Sequence, residues 1–149
     1  MSTWDTFDER VGSVLVAQDV AEWSLAAMAC VAYADGVAHE AEIARAEELV
    51  RHSTAIAGAL GPDQGLQFFH QVLMALELNP ERELEFQKVR LGVMASRIAD
   101  QEQRDAAFFT LIAMATADHD VTASEHALLV ELKALIGSKV MVPMPQVQC

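Results

Sequence analysis

Three carboxylates lie close together in the stretch TADHDVTASEHALL, which covers residues 116–129. Asp118 and Asp120 are two residues apart in a polar segment between two apolar runs, and Glu125 follows them. Two carboxylates at this spacing in a turn can point at one spot, and Glu125 can fold back from the first turn of the next helix. Carboxylate and carbonyl oxygens are the ligands that calcium, magnesium and manganese prefer. The segment is therefore a candidate site for one of these divalent cations.

The position of this segment after an apolar run favours the cation hypothesis. A helix that ends near Ala117 leaves carbonyl oxygens without intrahelical partners, and the negative end of its dipole favours positive charge. The segment is shorter than the twelve-residue loop of an EF-hand and lacks its glycine and final glutamate. Any site here would be open, with water completing the coordination shell and a dissociation constant on the order of 10⁻⁵ to 10⁻³ M.

The same residues also have an interpretation without metal. Thr122 and Glu125 have the spacing of a capping box, in which each side chain accepts the backbone N–H of the other residue. Asp120 is favourable near a helix N-terminus whether or not a cation is present, and Asp118 could start the turn. The sequence leaves the cation site and the capped turn open as alternatives.

A second acidic segment of the chain is similar to the first. VAYADGVAHEAEIARAEEL aligns with MATADHDVTASEHALLVEL when Asp35 is placed on Asp118, a shift of 83 residues (118 − 35). The same shift places Glu42 on Glu125. Sliding the first copy by one residue would instead match Val37 with Val121, so the register within the turn stays open. The duplication predicts two pseudo-symmetric halves.

The first turn offers its own candidate ligands, Asp35, Glu40 and Glu42. The position that matches Thr122 carries His39, so no hydroxyl is present there to form a capping box. A carboxylate that is present in both copies, with its capping partner in only one, favours a shared cation site. The first turn has fewer acidic groups ahead of its helix and is the weaker candidate.

Histidines in the turns add a further possibility. His39 and His119 lie in the first and second turns. A softer metal such as zinc could recruit them as additional ligands, although a histidine in an exposed turn is more often only a polar residue. Zinc is therefore the weaker choice of metal.

Catalytic motifs are absent from the sequence. HEAEI begins like a metalloprotease motif but lacks the second histidine four residues after the first. No Glu-x-x-His pair of a di-iron helical bundle is present. Neither cysteine has a visible base or a cationic neighbour that would activate a thiolate. We predict that the protein is not an enzyme.

The charge of the chain restricts its partners. Twenty-two acidic side chains against 10 basic ones give a formal net charge of −12. Such a chain repels phosphate backbones and anionic membrane surfaces. We therefore expect no nucleic acid as a partner, and expect cations or basic protein surfaces instead.

Several features predict a cytoplasmic protein without membrane insertion. The longest apolar runs, LAAMACVAYA and FFTLIAMATA, have about ten residues, whereas a membrane helix needs about twenty. The N-terminal MSTWDTFDERVGS carries charges where a signal peptide needs an apolar core. Cys30 and Cys149 show no metal-binding spacing and fit a reducing compartment.

Apolar residues recur at helical spacing along the whole chain, which predicts an all-α fold. The faces expected to be buried contain Trp23, Ala27 and Val31; Ile43, Ala46 and Val50; Leu66, Phe69, Leu73 and Leu76; Leu84, Leu91, Met94 and Ile98; Phe108, Leu111 and Ala115; and Leu128, Leu132 and Leu135. With a short first helix over roughly residues 5–16, about seven helices and no sheet are predicted.

Local signals predict where some of these helices begin and end. Asn79 can cap a helix whose first residue is Pro80, and Asp100 with Gln103 has capping-box spacing. Gly137 is a candidate helix stop. We predict a helical domain over residues 1–137 and a tail over residues 138–149 that is extended or disordered, since it has two prolines and no helical period.

At both turns the sequence resembles the TerB-like, tellurite-resistance family. The turns of that family read Asp-Gly, a small or acidic residue, a hydrophobic residue, Ser or Thr, and an acidic pair that starts a helix. ADGVAHEAE and ADHDVTASE are similar to this pattern, and the resemblance extends through LQFFHQVLMALELN, from about Val20 to Gly137. The chain departs from the pattern at His119, which replaces glycine, and at Ala38 and His39, which replace a capping hydroxyl.

The resemblance implies an all-helical fold of two pseudo-symmetric halves with acidic residues clustered at the turns. It implies a bacterial protein linked to tellurite resistance and stress response, with a role in metal binding or sensing and in protein complexes, and no firmly assigned enzymatic activity. Our first hypothesis is a non-enzymatic protein that binds divalent metal and works with other proteins of such a system. The alternative is a metal-free interaction module that docks basic partners on its acidic surface; the oligomeric state stays open.

Overall fold

All the regular secondary structure in the described ranges of the chain is helical. The computed structural model describes residues 3–34, 40–52, 58–115 and 121–144, with the backbone alone for residues 3–17, 42, 62 and 114. The helices are α1 (Thr3–Ala32), α2 (Glu40–His52), α3 (Pro62–Leu78), α4 (Pro80–Ala95), α5 (Gln101–Ala115) and α6 (Ala123–Ile136). Residues 58–60 are also helical. These seven helical segments, with no strand in the described ranges, confirm the predicted all-α single domain.

Helix α1 lies at the centre of the fold. It contacts each of the other five helices, and α3 and α5 most extensively. Every residue from Leu25 to Ala32 is buried, as expected for a helix that is apolar on all sides. Although α1 has 30 residues, no helix in the described ranges is both long and apolar enough to cross a membrane.

The length of α1 corrects one expectation from the sequence. A short separate helix over residues 5–16 is wrong, because α1 runs unbroken from Thr3 to Ala32. The residues between Val16 and Val20 are Ala, Gln and Asp, and none of them is a glycine or proline that would end a helix. The change in apolar pattern near residue 17 therefore does not mark a helix boundary.

The predicted buried faces form one hydrophobic core. Trp23 of α1, Phe69 of α3 and Phe108 of α5 are fully buried, as are Leu91 of α4 and Leu132 of α6. Burying each such side chain contributes about 1.5–3 kcal/mol. The core thus joins α1 to the helices of both halves of the chain.

Two predicted helix ends are confirmed, and a third is capped through a different residue. The Asn79 side chain accepts a hydrogen bond from the backbone N–H of Arg82, and Pro80 follows it as the first residue of α4. Gly137 ends α6 at a φ of 72°, which favours glycine, and its N–H donates to the carbonyl of Lys133. The Asp100 carboxylate caps α5 by accepting the N–H of Glu102 at 2.8 Å, and the predicted capping box with Gln103 is not formed.

Buried side chains repeat along the chain at a fixed offset. The pairs Leu25 and Phe108, Met28 and Leu111, and Ala46 and Leu129 are each 83 residues apart (108 − 25, 111 − 28 and 129 − 46), and all six side chains are buried. The pattern of burial therefore agrees with the 83-residue register of the duplication.

The segment after α6 is bound to α5 through Asp105. The Asp105 carboxylate accepts hydrogen bonds from the Lys139 backbone N–H and the Ser138 hydroxyl, both at 2.9 Å, and from the Gln101 side-chain amide at 3.1 Å. The Lys139 N–H is the largest cause of a lowered pKa at Asp105, with the Ser138 hydroxyl next. This end of the domain is thus held by contacts between residues that are far apart in the chain.

The same segment also lies along α6. The Nδ1 atom of His126 is 3.0 Å from the carbonyl oxygen of Pro143, and Val140 and Val142 pack against the core. Residues 138–144, the first part of the predicted tail, are non-helical and packed on the domain. Residues 145–149 of that tail lie outside the described ranges.

Candidate metal centre

The N-terminus of α6 is closed by the predicted capping box. The Thr122 hydroxyl accepts the backbone N–H of Glu125, and the Glu125 carboxylate accepts the backbone N–H of Thr122, both at 3.2 Å. Together the two bonds satisfy donors that the start of a helix would otherwise leave without partners. The capping interpretation of these two residues is thereby confirmed as a local structure.

Glu125 is buried, with 4% of its surface exposed. A buried carboxylate is costly unless it is hydrogen-bonded, and here the backbone N–H of Thr122 is one of its partners. Val121, also buried, holds the chain against the core just before the cap. Glu125 is therefore a carboxylate held in one place at the edge of the second turn.

The remaining predicted ligands of the second turn, Asp118, Asp120 and His119, lie outside the described residues. Asp35 and His39 of the first turn lie outside them as well. Among the residues whose side chains are defined, no three His, Cys, Asp or Glu form a group that could hold a metal. The proposed ligand set stays a prediction from the sequence.

The end of α1, which precedes the first turn, is closed by backbone hydrogen bonds. The N–H groups of Tyr33 and Ala34 donate to the carbonyls of Cys30 and Val31, each at 3.1 Å. These bonds between residues three apart tighten the end of α1. Two of the carbonyls that this helix end would otherwise leave without partners thus have partners within the chain.

Two predicted acidic ligands of the first turn lie at the start of α2. Glu40 is the first residue of the helix and is exposed. Glu42 is the third residue of α2, as Glu125 is the third residue of α6. The repeat therefore places one carboxylate-bearing residue at the same point of both helices.

Further along α2, acidic side chains pair with basic ones. Glu48 lies 3.4 Å from Arg45, and Glu47 lies 3.5 Å from Arg51. Exposed pairs of this kind contribute about 0.3–0.5 kcal/mol each. They make the outer face of α2 a charged surface in contact with solvent.

Cys30 lies in the core and not in a reactive site. Burial raises the pKa of its thiol to about 12; Lys88 acts in the opposite direction, and Glu83 adds to the rise. A thiol with this pKa carries almost no thiolate at neutral pH, and thiolate is the nucleophile and metal ligand. The structure thus supports the interpretation of Cys30 as a core residue.

Lys88 joins α4 to α6, a contact that sequence reasoning missed. Its ammonium group lies 2.9 Å from the Glu131 carboxylate and 3.2 Å from that of Glu85. The hydrogen bond to Glu131 is the main cause of a raised pKa at Lys88, and partial burial opposes it. Only Glu85 could have been paired with Lys88 from the sequence, because Glu131 lies on a different helix.

An open cleft lies beside α1 and α3. Its lining consists of Glu22, Leu60, Gln64, Gln67, Phe68 and Gln71. Glu22 is the one carboxylate among these residues, and three of them are neutral amides. The lining therefore has no pair of ionisable groups of the kind that acid–base chemistry uses.

Comparison with known families identifies the class to which this helical fold belongs. The family model described as tellurite resistance protein TerB matches residues 21–140. This range covers most of the chain, from α1 through the segment that packs on α5. The chain belongs to the TerB family. No curated protein and no solved structure gives a match.

Proposed function

We propose that this TerB-family protein binds a divalent cation at its acidic inter-helix turns and acts by binding and not by catalysis. Calcium, magnesium and manganese are the expected ions, because the ligands would be hard oxygens. Zinc, with His39 or His119 as an added ligand, is the weaker choice. The carboxylates assigned to the second turn are Asp118, Asp120 and Glu125, and those assigned to the first are Asp35, Glu40 and Glu42.

The shared spacing of the two turns is the observation that carries the proposal. Both turns join helices whose buried positions repeat at an offset of 83 residues, as in the pair Leu25 and Phe108 and the pair Ala46 and Leu129 (108 − 25 and 129 − 46). At this offset Asp35 matches Asp118 and Glu42 matches Glu125. The capping hydroxyl of Thr122 has no counterpart in the first copy, so capping alone does not account for the acidic residue in both copies.

Cation binding would link the turns to a biological role. A bound ion removes the repulsion between neighbouring carboxylates and stabilises the folded state by mass action. An ordered turn could then bias a contact with another protein of a tellurite-resistance or stress-response system. In this role the protein senses an ion and passes the change to a partner.

The alternative is a metal-free interaction module. The capping box of α6 is complete without a cation, which favours this alternative at the second turn. With a net charge of −12, the surface would attract basic partners over long distances. In that case the acidic turns contribute to docking, and metal has no effect on stability.

Thermal unfolding separates the two proposals. The protein is first stripped with EDTA and then heated with calcium, magnesium, manganese or zinc in excess. A cation at 100 times its dissociation constant adds about 2.7 kcal/mol, which corresponds to several degrees for a domain of this size. The matched variants are the double change Asp118→Asn with Asp120→Asn, and the control Asp63→Asn with Glu102→Gln.

The control removes the same amount of charge from exposed residues in the first turns of α3 and α5. A shift with one ion that is kept in the control and lost in the turn variant supports the cation site. Equal unfolding temperatures with and without every ion rule it out and leave the interaction module. A shift that persists in the turn variant would move the site to other residues.

A further inference from the structure

Helix α4 carries apolar side chains on two opposite faces. Its inner face buries Leu91 and Met94 in the core. On the outer face Phe86, Val89 and Val93 are 59%, 69% and 52% exposed. Their spacing of three and four residues places them in one row along the helix. Scattered exposed apolar residues are ordinary on a protein surface, but a continuous row is a mark of a binding surface.

An arginine lies beyond each end of this row. Arg82 precedes Phe86 by four residues on α4, and Arg97 lies in the turn just after α4 ends at Ala95, with its N–H donating to the Met94 carbonyl. Both arginines are exposed, and neither forms an ion pair with any described residue. We call the row of Arg82, Phe86, Val89, Val93 and Arg97 the α4 stripe.

The acidic residue Glu85 lies beside the apolar row, four residues before Val89. Its carboxylate is 3.2 Å from the ammonium group of Lys88, which also contacts Glu131 of α6. The negative charge of Glu85 is therefore offset by a neighbouring lysine, whereas Arg82 and Arg97 have no such partner among the described residues. In a chain of net charge −12, the α4 stripe is thus an apolar surface with positive charge at both ends.

We propose that the α4 stripe docks an amphipathic helix of a partner protein, with acidic residues at both ends of its apolar face. The apolar face would cover Phe86, Val89 and Val93, and the acidic residues would pair with Arg82 and Arg97. At 1.5 Å per residue the helical part of the stripe, from Arg82 to Val93, is about 17 Å long, so the partner helix needs a little over three turns. None of the residues of the α4 stripe belongs to the proposed cation site.

Repulsion between arginines disfavours the binding of a second copy of the chain to the α4 stripe. In an antiparallel pair of α4 stripes, the arginine at one end of each stripe faces the arginine at the opposite end of the other. In a parallel pair, each arginine faces its own equivalent. Both arrangements bring like charges together at an apolar interface, where repulsion costs free energy. A helix with acidic ends is complementary in both charge and apolarity.

A designed peptide tests the proposal directly. The probe is a labelled 18-residue helical peptide with leucines at positions 5, 8 and 12 and glutamates near both ends. The comparison peptide has the same sequence with lysines in place of those glutamates. Binding is measured by fluorescence anisotropy in EDTA, so that the result does not depend on a cation. We expect the Glu-ended peptide to bind at least about tenfold more tightly, a difference of about 1.4 kcal/mol.

Three variants assign the binding to the stripe. Val89→Asp should weaken the Glu-ended peptide at least about tenfold, because it places a charge in the centre of the apolar row. The charge exchange Arg82→Glu with Arg97→Glu should reverse the preference and favour the Lys-ended peptide. Val130→Asp, at a valine of α6 that is 47% exposed, should leave binding unchanged. Circular dichroism of each variant confirms that it is folded.

Several results would overturn the proposal. They are no binding of either peptide, equal binding of both, or equal loss in Val89→Asp and Val130→Asp. Self-association in analytical ultracentrifugation that is abolished by Val89→Asp would show that a second copy occupies the stripe. Reversal of the charge preference in the double variant, with a normal circular dichroism spectrum, supports it.

Discussion

The two halves of the molecule share a pattern of buried positions but differ in how much of their second helices they bury. Helix α6 begins with a capping box and buries Leu128, Leu129, Leu132 and Ile136. Helix α2 begins at exposed Glu40 and buries Ala46 and Val50. The difference indicates that the second half holds its helix more firmly, whereas the first half presents a charged surface.

Helices α2 and α6 also differ in how many charged side chains they carry. Six of the 13 residues of α2 are Glu or Arg, and its Glu47 and Glu48 pair with Arg51 and Arg45 on the same helix, with Glu47 also 3.7 Å from His70 of α3. Only three of the 14 residues of α6 are Glu or Lys, and Glu131 among them contacts Lys88 of α4. A duplicated helical pair has thus kept its spacing while its two copies bury different amounts of apolar surface.

The largest predicted difference between the halves concerns two equivalent leucines. Leu132 is fully buried, and its counterpart Leu49 is only partly buried. Leu132→Ala should lower the free energy of unfolding by about 2–5 kcal/mol, the range for a buried leucine. Leu49→Ala should cost clearly less, because part of its side chain already contacts water. Urea unfolding of both variants measures the difference.

Equal losses at the two leucines would contradict the unequal burial of α2 and α6. The slope of unfolding free energy against urea serves as the control, since an unchanged slope shows that the variants unfold from a similar native state.

A smaller effect is predicted at the helix caps. Thr122→Ala should cost about 1 kcal/mol, because it removes one side of the capping box. His39→Thr, at the equivalent position of the first turn, should stabilise the first half by a similar or smaller amount. The introduced hydroxyl and Glu42 would recreate the spacing of the box. Thermal unfolding in EDTA gives both values without a contribution from cations.

Thr122→Ser is the matched control, because it keeps the hydroxyl and should change stability little. If Thr122→Ala and Thr122→Ser have the same stability, the box does not hold α6.

The smallest predicted effect concerns pH and the segment after α6. The pKa of Asp105 is lowered by the bonds it accepts from Lys139, Ser138 and Gln101. A carboxylate with a lowered folded-state pKa stabilises the fold above its ordinary pKa of 3.8, and this stability is lost as the pH falls through the lower folded-state value. Asp105→Asn should therefore lower the free energy of unfolding at pH 7. The variant should then lose less free energy of unfolding than the wild type as the pH falls.

Unfolding by urea at a series of pH values between about 2 and 7 measures this contribution. Parallel curves for the wild type and Asp105→Asn would show that the carboxylate does not stabilise the segment. Glu102→Gln, which removes one carboxylate from an exposed position on α5, is the matched control.

Local features of this fold were predictable from the sequence. The caps at Asn79 and Thr122 and the stop at Gly137 depend on residues within a few positions of each other, and all three are confirmed. The family and the all-α class are confirmed for the same reason, since the turn motifs and the helical period are short-range patterns.

Contacts between distant residues were not predictable. The binding of Asp105 to Ser138 and Lys139 depends on how α5 and α6 pack, which no local pattern contains. The continuity of α1 was misjudged because its apolar pattern changes without a residue that ends the helix. The α4 stripe was missed because the helical period of apolar residues identifies the inner, buried face and carries no information about the outer one.

Cation binding at the acidic turns is tested most directly by calorimetric titration. Calcium, magnesium and manganese are titrated separately into EDTA-stripped wild type, Asp35→Asn and Asp118→Asn. We predict saturable binding of at least one ion to the wild type, greatly weakened by Asp118→Asn and less by Asp35→Asn. No saturable binding of any ion to the wild type, at concentrations up to about 10⁻³ M, would contradict the proposal.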